Sequence, residues 1–234
     1  MRCILNPRTD RYITTMTLPS TTMPSPVLDR LKEGIRTFQR ETYAENAEHY
    51  RHVATTQQQP HTLMITCADS RIDIEKLTSA LPGELFVTRN VGNIVPGYGE
   101  MLGGVSAVIE YAVSALKVRH IVVCGHSDCG AMKALEQPET MEPMPTVKRW
   151  MRNAEAAKAV AESLAAPDSS RAANLRLLTE RNVLLQMQHL KTHPSVAGAM
   201  ARAELTVSGW VYDIGSGSVR IAEDDIRGVF NEVV

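Results

Sequence analysis

Apolar positions along the chain recur at two periods, and the way these periods alternate predicts the architecture. Behind Ser25 and Pro26, a favourable N-cap and first turn, Leu28, Leu31, Ile35 and Phe38 recur at three- and four-residue spacing. They predict an amphipathic helix with one apolar stripe. Residues 62–66 form a short apolar run that predicts a strand, and a helix over about 73–80 follows, stopped by Pro82-Gly83. Residues 85–88 predict the next strand. Gly92, Gly97, Gly99, Gly103 and Gly104 then punctuate a loop before a helix over about 105–117. Their spacing is not that of a dinucleotide-binding G-x-G-x-x-G turn, so a flexible loop is expected there. His120–Cys124 is the clearest buried strand, with Gly125 expected to end it. From Asp128 to about Ala203 the pattern is helical, broken near Pro138–Pro145, Pro167 and Pro194. Residues 205–212 and 218–221 close the chain as a predicted hairpin through Gly215-Ser216-Gly217.

Strands alternating with helices imply an α/β fold. A single domain is expected, with a mainly parallel central β-sheet flanked by helices and a C-terminal hairpin. Residues 1–24 carry Arg2, Arg8 and Arg11, three prolines and many threonines, but no continuous apolar segment. They read as a disordered arm rather than a secretory leader, leaving 25–234 as the domain. In open α/β sheets ligands collect at the carboxyl ends of strands. Chemistry is therefore expected just after residue 66 and just after residue 124.

Composition narrows the class. The chain has 234 residues, 44% hydrophobic and 22% charged, as in an ordinary globular protein. Twenty-five basic residues against twenty-six acidic ones leave a net charge of −1, so no global field exists to hold nucleic acid or an anionic membrane. No apolar run approaches the roughly 18 residues of a membrane span. Four cysteines, Cys3, Cys67, Cys124 and Cys129, are too few for a disulfide scaffold and read as reduced thiols of a cytoplasmic protein.

Two segments carry candidate chemistry. Cys67-Ala68-Asp69-Ser70-Arg71 follows one strand, and Gly125-His126-Ser127-Asp128-Cys129-Gly130 follows another. Two thiols and an imidazole suit Zn²⁺, a borderline-soft ion, and three protein ligands leave one tetrahedral position for water. Either segment alone is weak evidence; both at the ends of neighbouring strands form a specific pattern. Cys124 alternates with Val122 inside the apolar strand and reads as core. Cys3 reads as a bystander. His189 and His193 stand four apart on a predicted helix but lack the H-E-x-x-H pattern, so a surface pair is expected, as for His49 and His52.

The pair CADSR and GHSDCGAM resembles the signature of the β-class carbonic anhydrases. The likeness extends over most of residues 55–135, through ELFVTRNVGNIVP and IEYAVSALKVRHIVVCGHSDCGAM, and returns in the closing GWVYDIGSGSVRI. The resemblance implies one Zn²⁺ per chain on Cys67, His126 and Cys129, with Asp69 and Arg71 as a catalytic dyad. It implies that water activated on the ion attacks CO₂ to give bicarbonate. It also implies a substrate pocket lined by Gln58, Phe86, Val91, Tyr111 and Gly130, with some walls supplied by the partner chain of a homodimer or a multiple of dimers. Gln58 matches a plant-like subgroup whose metal site stays open. The other subgroup carries a tryptophan where this chain has Met64; Trp150 and Trp210 lie far away in sequence. Hydrolysis of carbonyl sulfide or carbon disulfide, or zinc and bicarbonate binding without catalysis, are the competing functions on the same residues.

Overall fold

The computed structural model describes residues 3–5, 12–14, 26–100 and 103–233, with side chains from Pro26 onward. The chain forms two compact units, residues 1–54 and 55–234. In the first, β1 (Cys3–Leu5) pairs antiparallel with β2 (Tyr12–Thr14). The rest of the segment expected to be a disordered arm lies outside the described residues. Three helices follow: α1 (Pro26–Arg40), α2 (Thr42–Glu45) and α3 (Ala47–Thr55). Helix α1 starts at the proline whose ring pre-sets the first turn. Its stripe is uncovered, with Leu28, Leu31 and Ile35 50–61% exposed.

The second unit is the α/β layer expected from the alternating pattern. Its elements are β3 (Thr62–Cys67), α4 (Ile74–Thr78), β4 (Leu85–Asn90), α5 (Gly104–Ser114), β5 (His120–His126) and α6 (Gly130–Glu136), followed by α7 (Pro145–Met151), α8 (Glu155–Leu164), α9 (Arg171–Lys191), α10 (Pro194–Ala201), β6 (Thr206–Tyr212), β7 (Val219–Ala222) and β8 (Asn231–Glu232). The sheet order is β4-β3-β5-β6-β7-β8. The first four strands are parallel and the last two pairings antiparallel. Every residue of β3 is buried, the reason its sequence runs apolar without alternating. Helix α4 is capped by the Asp73 carboxylate, which accepts from the Lys76 N–H at 3.2 Å, and ends at Ser79 in the left-handed region.

Helices α5, α9 and α10 cover one sheet face. Ile109, Val183, Met187, Leu190 and Val196 pack there with Leu63, Ile65, Ile121, Val123 and Val207. Burying each such side chain contributes about 1.5–3 kcal/mol. One expectation is corrected here. Gly125 does not end its strand; β5 runs on to His126. The glycine is needed because α9 lies so close that a Cβ at 125 would stand 2.7 Å from Val183 Cγ2. The C-terminal hairpin is present as β6 and β7, turned by Asp213, whose carboxylate accepts from the Ser216 N–H at 2.8 Å. Strand β8 adds a third antiparallel partner that its two residues gave no pattern to predict. Among the described residues no helix is long and apolar enough to cross a membrane.

Candidate metal centre

Strands β3 and β5 are parallel neighbours, so their carboxyl ends open on the same edge of the sheet. Cys67 is the last residue of β3 and His126 the last of β5. Asp128 adopts φ 58°, and this left-handed turn brings the chain back to Cys129, the N-cap of α6. One ligand atom from each of Cys67, His126 and Cys129 lies within 4.8 Å of the other two, and all three residues are buried.

The imidazole is preset for a metal. His126 Nδ1–H donates to the Ser127 carbonyl at 2.9 Å, which leaves Nε2 as the ring's lone-pair nitrogen. That Nε2 is buried without a hydrogen-bond partner. A buried, unpartnered nitrogen facing two thiols is costly unless something else binds it. The soft sulfur and nitrogen donor set fits Zn²⁺. The two thiols share hydrogen bonding: Cys129 donates to Cys67, lowering the Cys67 thiol and raising its own. Cys67 is lowered further by the peptide N–H groups of Gly92 and Asp69. Peptide N–H groups of Ala131 and Met132, at the start of α6, act on Cys129 in the same sense against burial.

Beside this trio stands the dyad. Arg71 grips Asp69 in a fork, Nε to Oδ1 at 2.9 Å and Nη2 to Oδ2 at 2.7 Å, and its own peptide N–H adds a third bond at 3.0 Å. This guanidinium, more than any other cause, holds the Asp69 carboxyl well below the usual carboxylate range. Asp69 Oδ2 lies 3.9 Å from His126 Nε2. The dyad has two further members that sequence reasoning missed. Arg71 Nη1 donates to Asp128 Oδ2 at 2.9 Å, and Lys133 Nζ pairs with Asp128 Oδ1. Asp128 sat within a quoted motif, but nothing in its spacing marked it as Arg71's second partner.

The remaining expected site residues are dispersed. Gly130 is exposed at the first turn of α6, and Val91 is exposed just beyond β4, its carbonyl accepting from Trp150 Nε1 at 2.8 Å. Trp150, remote in sequence, is thus adjacent in space to the Val91–Asn93 turn. Gln58 is exposed on the connection from α3 to β3. Phe86 pairs in register with Leu63, four residues before Cys67, hence about 13 Å away along the strand. Its ring centroid is 6.0 Å from that of Tyr111 on α5. One chain therefore gathers Cys67, Asp69, Arg71, His126, Cys129 and Gly130, and sets Phe86 and Tyr111 apart. Cys124 is core, its thiol pushed up to about 12 by burial. His189 and His193 are not a surface pair. His193 is buried and His189 partly so, and they donate to the carbonyls of Pro96 and Val95 at 3.0 and 2.9 Å. The side chain of Cys3 lies outside the described residues.

Fold and site together define an α/β protein with a Cys-His-Cys centre at the carboxyl edge of a parallel sheet. A family model described as carbonic anhydrase matches residues 62–219. A carbonic anhydrase of Pseudomonas aeruginosa is 49% identical over 187 residues, covering 80% of this chain and 84% of that protein. The solved structure of the β-carbonic anhydrase CcaA superposes with a TM-score of 0.84 at 33% identity, covering 90% of this chain and 93% of that one. A structure from work on two tetrameric β-carbonic anhydrases of Sordaria macrospora gives 0.76 at 26% identity, covering 84% and 97%. The chain belongs to the β-class carbonic anhydrases, the carbonate dehydratases of this fold.

Proposed function

We propose that this chain hydrates carbon dioxide reversibly to bicarbonate and a proton, using one Zn²⁺ held by Cys67, His126 and Cys129. The observation that carries the reading is the buried, unpartnered His126 Nε2 facing two thiols, with a locked carboxylate beside it. When bound, zinc supplies a water acidified from its bulk value to about 7–9. The protein's part is orientation. Asp69 Oδ2 stands ready to accept a hydrogen bond from a reactant next to His126 Nε2. Arg71 keeps that carboxylate ionised and fixes its rotamer, and Asp128 with Lys133 steadies Arg71 from the other side. A carboxylate so fully engaged by a guanidinium favours the open form of the site, in which Asp69 stays off the metal.

The pocket is completed by a second copy of the chain. Gln58, Phe86 and Tyr111 supply walls to a neighbour's site, while Val91 and Gly130 serve their own. Two observations support a homodimer or a multiple of dimers: the distance of Phe86 from Cys67 in one chain, and the uncovered stripe of α1. The tetrameric Sordaria relatives share this fold. A cytoplasmic location goes with this reading, since Cys67, Cys124 and Cys129 form no disulfide and a reducing compartment keeps thiols so.

Metal analysis and stopped-flow CO₂ hydration on one sample test the proposal. Parent protein should carry one zinc per chain and turn over. Cys67→Ser should lose both, because a hydroxyl is a far poorer zinc ligand than a thiolate. Full zinc and full turnover in Cys67→Ser would overturn it.

A further inference from the structure

The segment from Val91 to Tyr98 borders the metal centre, and it has no regular structure of its own beyond one turn. Gly92 lies wedged at the start of α6, where a Cβ would stand 3.1 Å from that of Ala131, and its peptide N–H faces the Cys67 sulfur. Its peptide groups are held instead by one face of α9 and the residues just after it. Asn182 Nδ2 donates to the Gly92 carbonyl at 3.1 Å, and the Val95 N–H donates to Gln186 Oε1 at 2.8 Å. His189 and His193 take the carbonyls of Val95 and Pro96, and the Tyr98 N–H donates to Thr192 Oγ1 at 2.9 Å. Residues 182, 186 and 189 follow at steps of four and three on one face of α9, and His193 stands just past its end.

Two of these side chains differ from the rest. Asn182 and Gln186 are both fully buried and are tied to each other, Gln186 Nε2 donating to Asn182 Oδ1 at 2.9 Å. The same amide donates to the Asn153 carbonyl at 3.1 Å, anchoring the pair to the turn before α8. Every polar atom of Gln186 is therefore used, which leaves this pair one arrangement.

We infer that Asn182 and Gln186 are positioning residues for the metal centre, acting through the backbone of Gly92. None of their hydrogen bonds goes to a ligand side chain. Asn182 fixes the Gly92 carbonyl and with it the Gly92–Asn93 peptide plane; the Gly92 Cα, pressed against Ala131, joins that plane to the Val91–Gly92 peptide whose N–H faces Cys67. Gln186 fixes Asn182. Outer groups that orient a ligand are worth roughly tenfold to a hundredfold in metal affinity. The inference rests on the Cys67–His126–Cys129 reading of the metal site.

Full-length protein loaded with Co²⁺ in place of zinc tests it through the thiolate-to-cobalt charge-transfer band, the rate of metal loss to a chelator, and the melting temperature. Asn182→Ala should shift the band and release metal roughly tenfold to a hundredfold faster. Gln186→Ala should do the same to a smaller degree. Thr192→Ala, at the far end of the segment, should lower the melting temperature with the band unmoved. Should Asn182→Ala fail to fold, Asn182→Asp keeps the volume and the acceptor for Gln186 but sets an oxygen against the Gly92 carbonyl, and should shift the band likewise. Asn182 variants that melt lower yet keep the parent's band and release rate would make the pair a plain brace and overturn the inference. A parent protein with no thiolate–cobalt band would instead overturn the metal reading, and the inference with it.

Discussion

Replacing Gly125 by alanine adds one methyl group at the closest approach of α9 to the sheet. That Cβ would stand 2.7 Å from Val183 Cγ2, 3.3 Å from Thr179 Cγ2 and 3.6 Å from Asn93 Oδ1. Valine in a helix has essentially one side-chain rotamer, so Val183 has no other rotamer to turn to, and the helix or the strand must shift. Overpacking of this kind costs about 1–3 kcal/mol. At about 2–4 °C per kcal/mol for a domain of this size, Gly125→Ala should melt about 2–12 °C below the parent by calorimetry. Val183→Ala alone removes two buried carbons and should cost about 2 kcal/mol. Combined, the two changes should recover about 1–2 kcal/mol relative to their sum, because the methyl group occupies the space the valine leaves. A Gly125→Ala protein melting with the parent, or a double variant showing strictly additive losses, would refute the close-approach reasoning.

The dyad and the assembly are open to equally direct tests. Asp69→Asn should retain its zinc while CO₂ hydration falls roughly a hundredfold; unchanged turnover would reduce the dyad to a loop brace. Arg71 depresses the Asp69 pKa, so Arg71→Ala should raise the Asp69 titration, followed by carboxyl-carbon NMR, toward the ordinary carboxylate range. An unmoved Asp69 titration would sink that assignment. Leu31→Glu with Ile35→Glu places two charges on the uncovered face of α1 and should shift the protein to a smaller assembly with lost turnover, read by light scattering and stopped-flow. Unchanged mass would show that this face is not where copies meet.

Much of this was legible in the sequence, for reasons specific to each element. The run 62–66 and the run 120–124 are too apolar to face water on either side, and that alone marks them as central parallel strands. Their shared edge then brings Cys67 together with His126 and Cys129. Gly125 misled because glycine after an apolar run is commonly a terminator, and its real cause, a helix pressed against the strand, lies nearly sixty residues away in Val183. His189 and His193 misled for a related reason. Spacing shows that they stand four apart but neither that the helix ends between them nor what they meet, which here is the backbone of another segment. Backbone recognition leaves no pattern at the recognised positions, since any residue offers the same carbonyl. Asp128 and Lys133 were hidden similarly: ion pairs between a loop and a helix are set by the turn at Asp128, not by a repeat. Strand β8 has two residues, too few for any period.

The reliance of Val91–Tyr98 on α9 and the turn after it has a consequence for how the molecule is made. A ribosome has delivered all three ligands once residue 129 emerges, but the side chains that set the neighbouring wall extend to residue 193. At about 5–20 residues per second, that leaves an interval of roughly 3–13 s. During it Cys67, His126 and Cys129 exist in a nascent chain whose Gly92 peptide is still unanchored. The centre is complete in composition well before it is complete in shape, so capture of the metal in its final geometry belongs to the last third of synthesis or later.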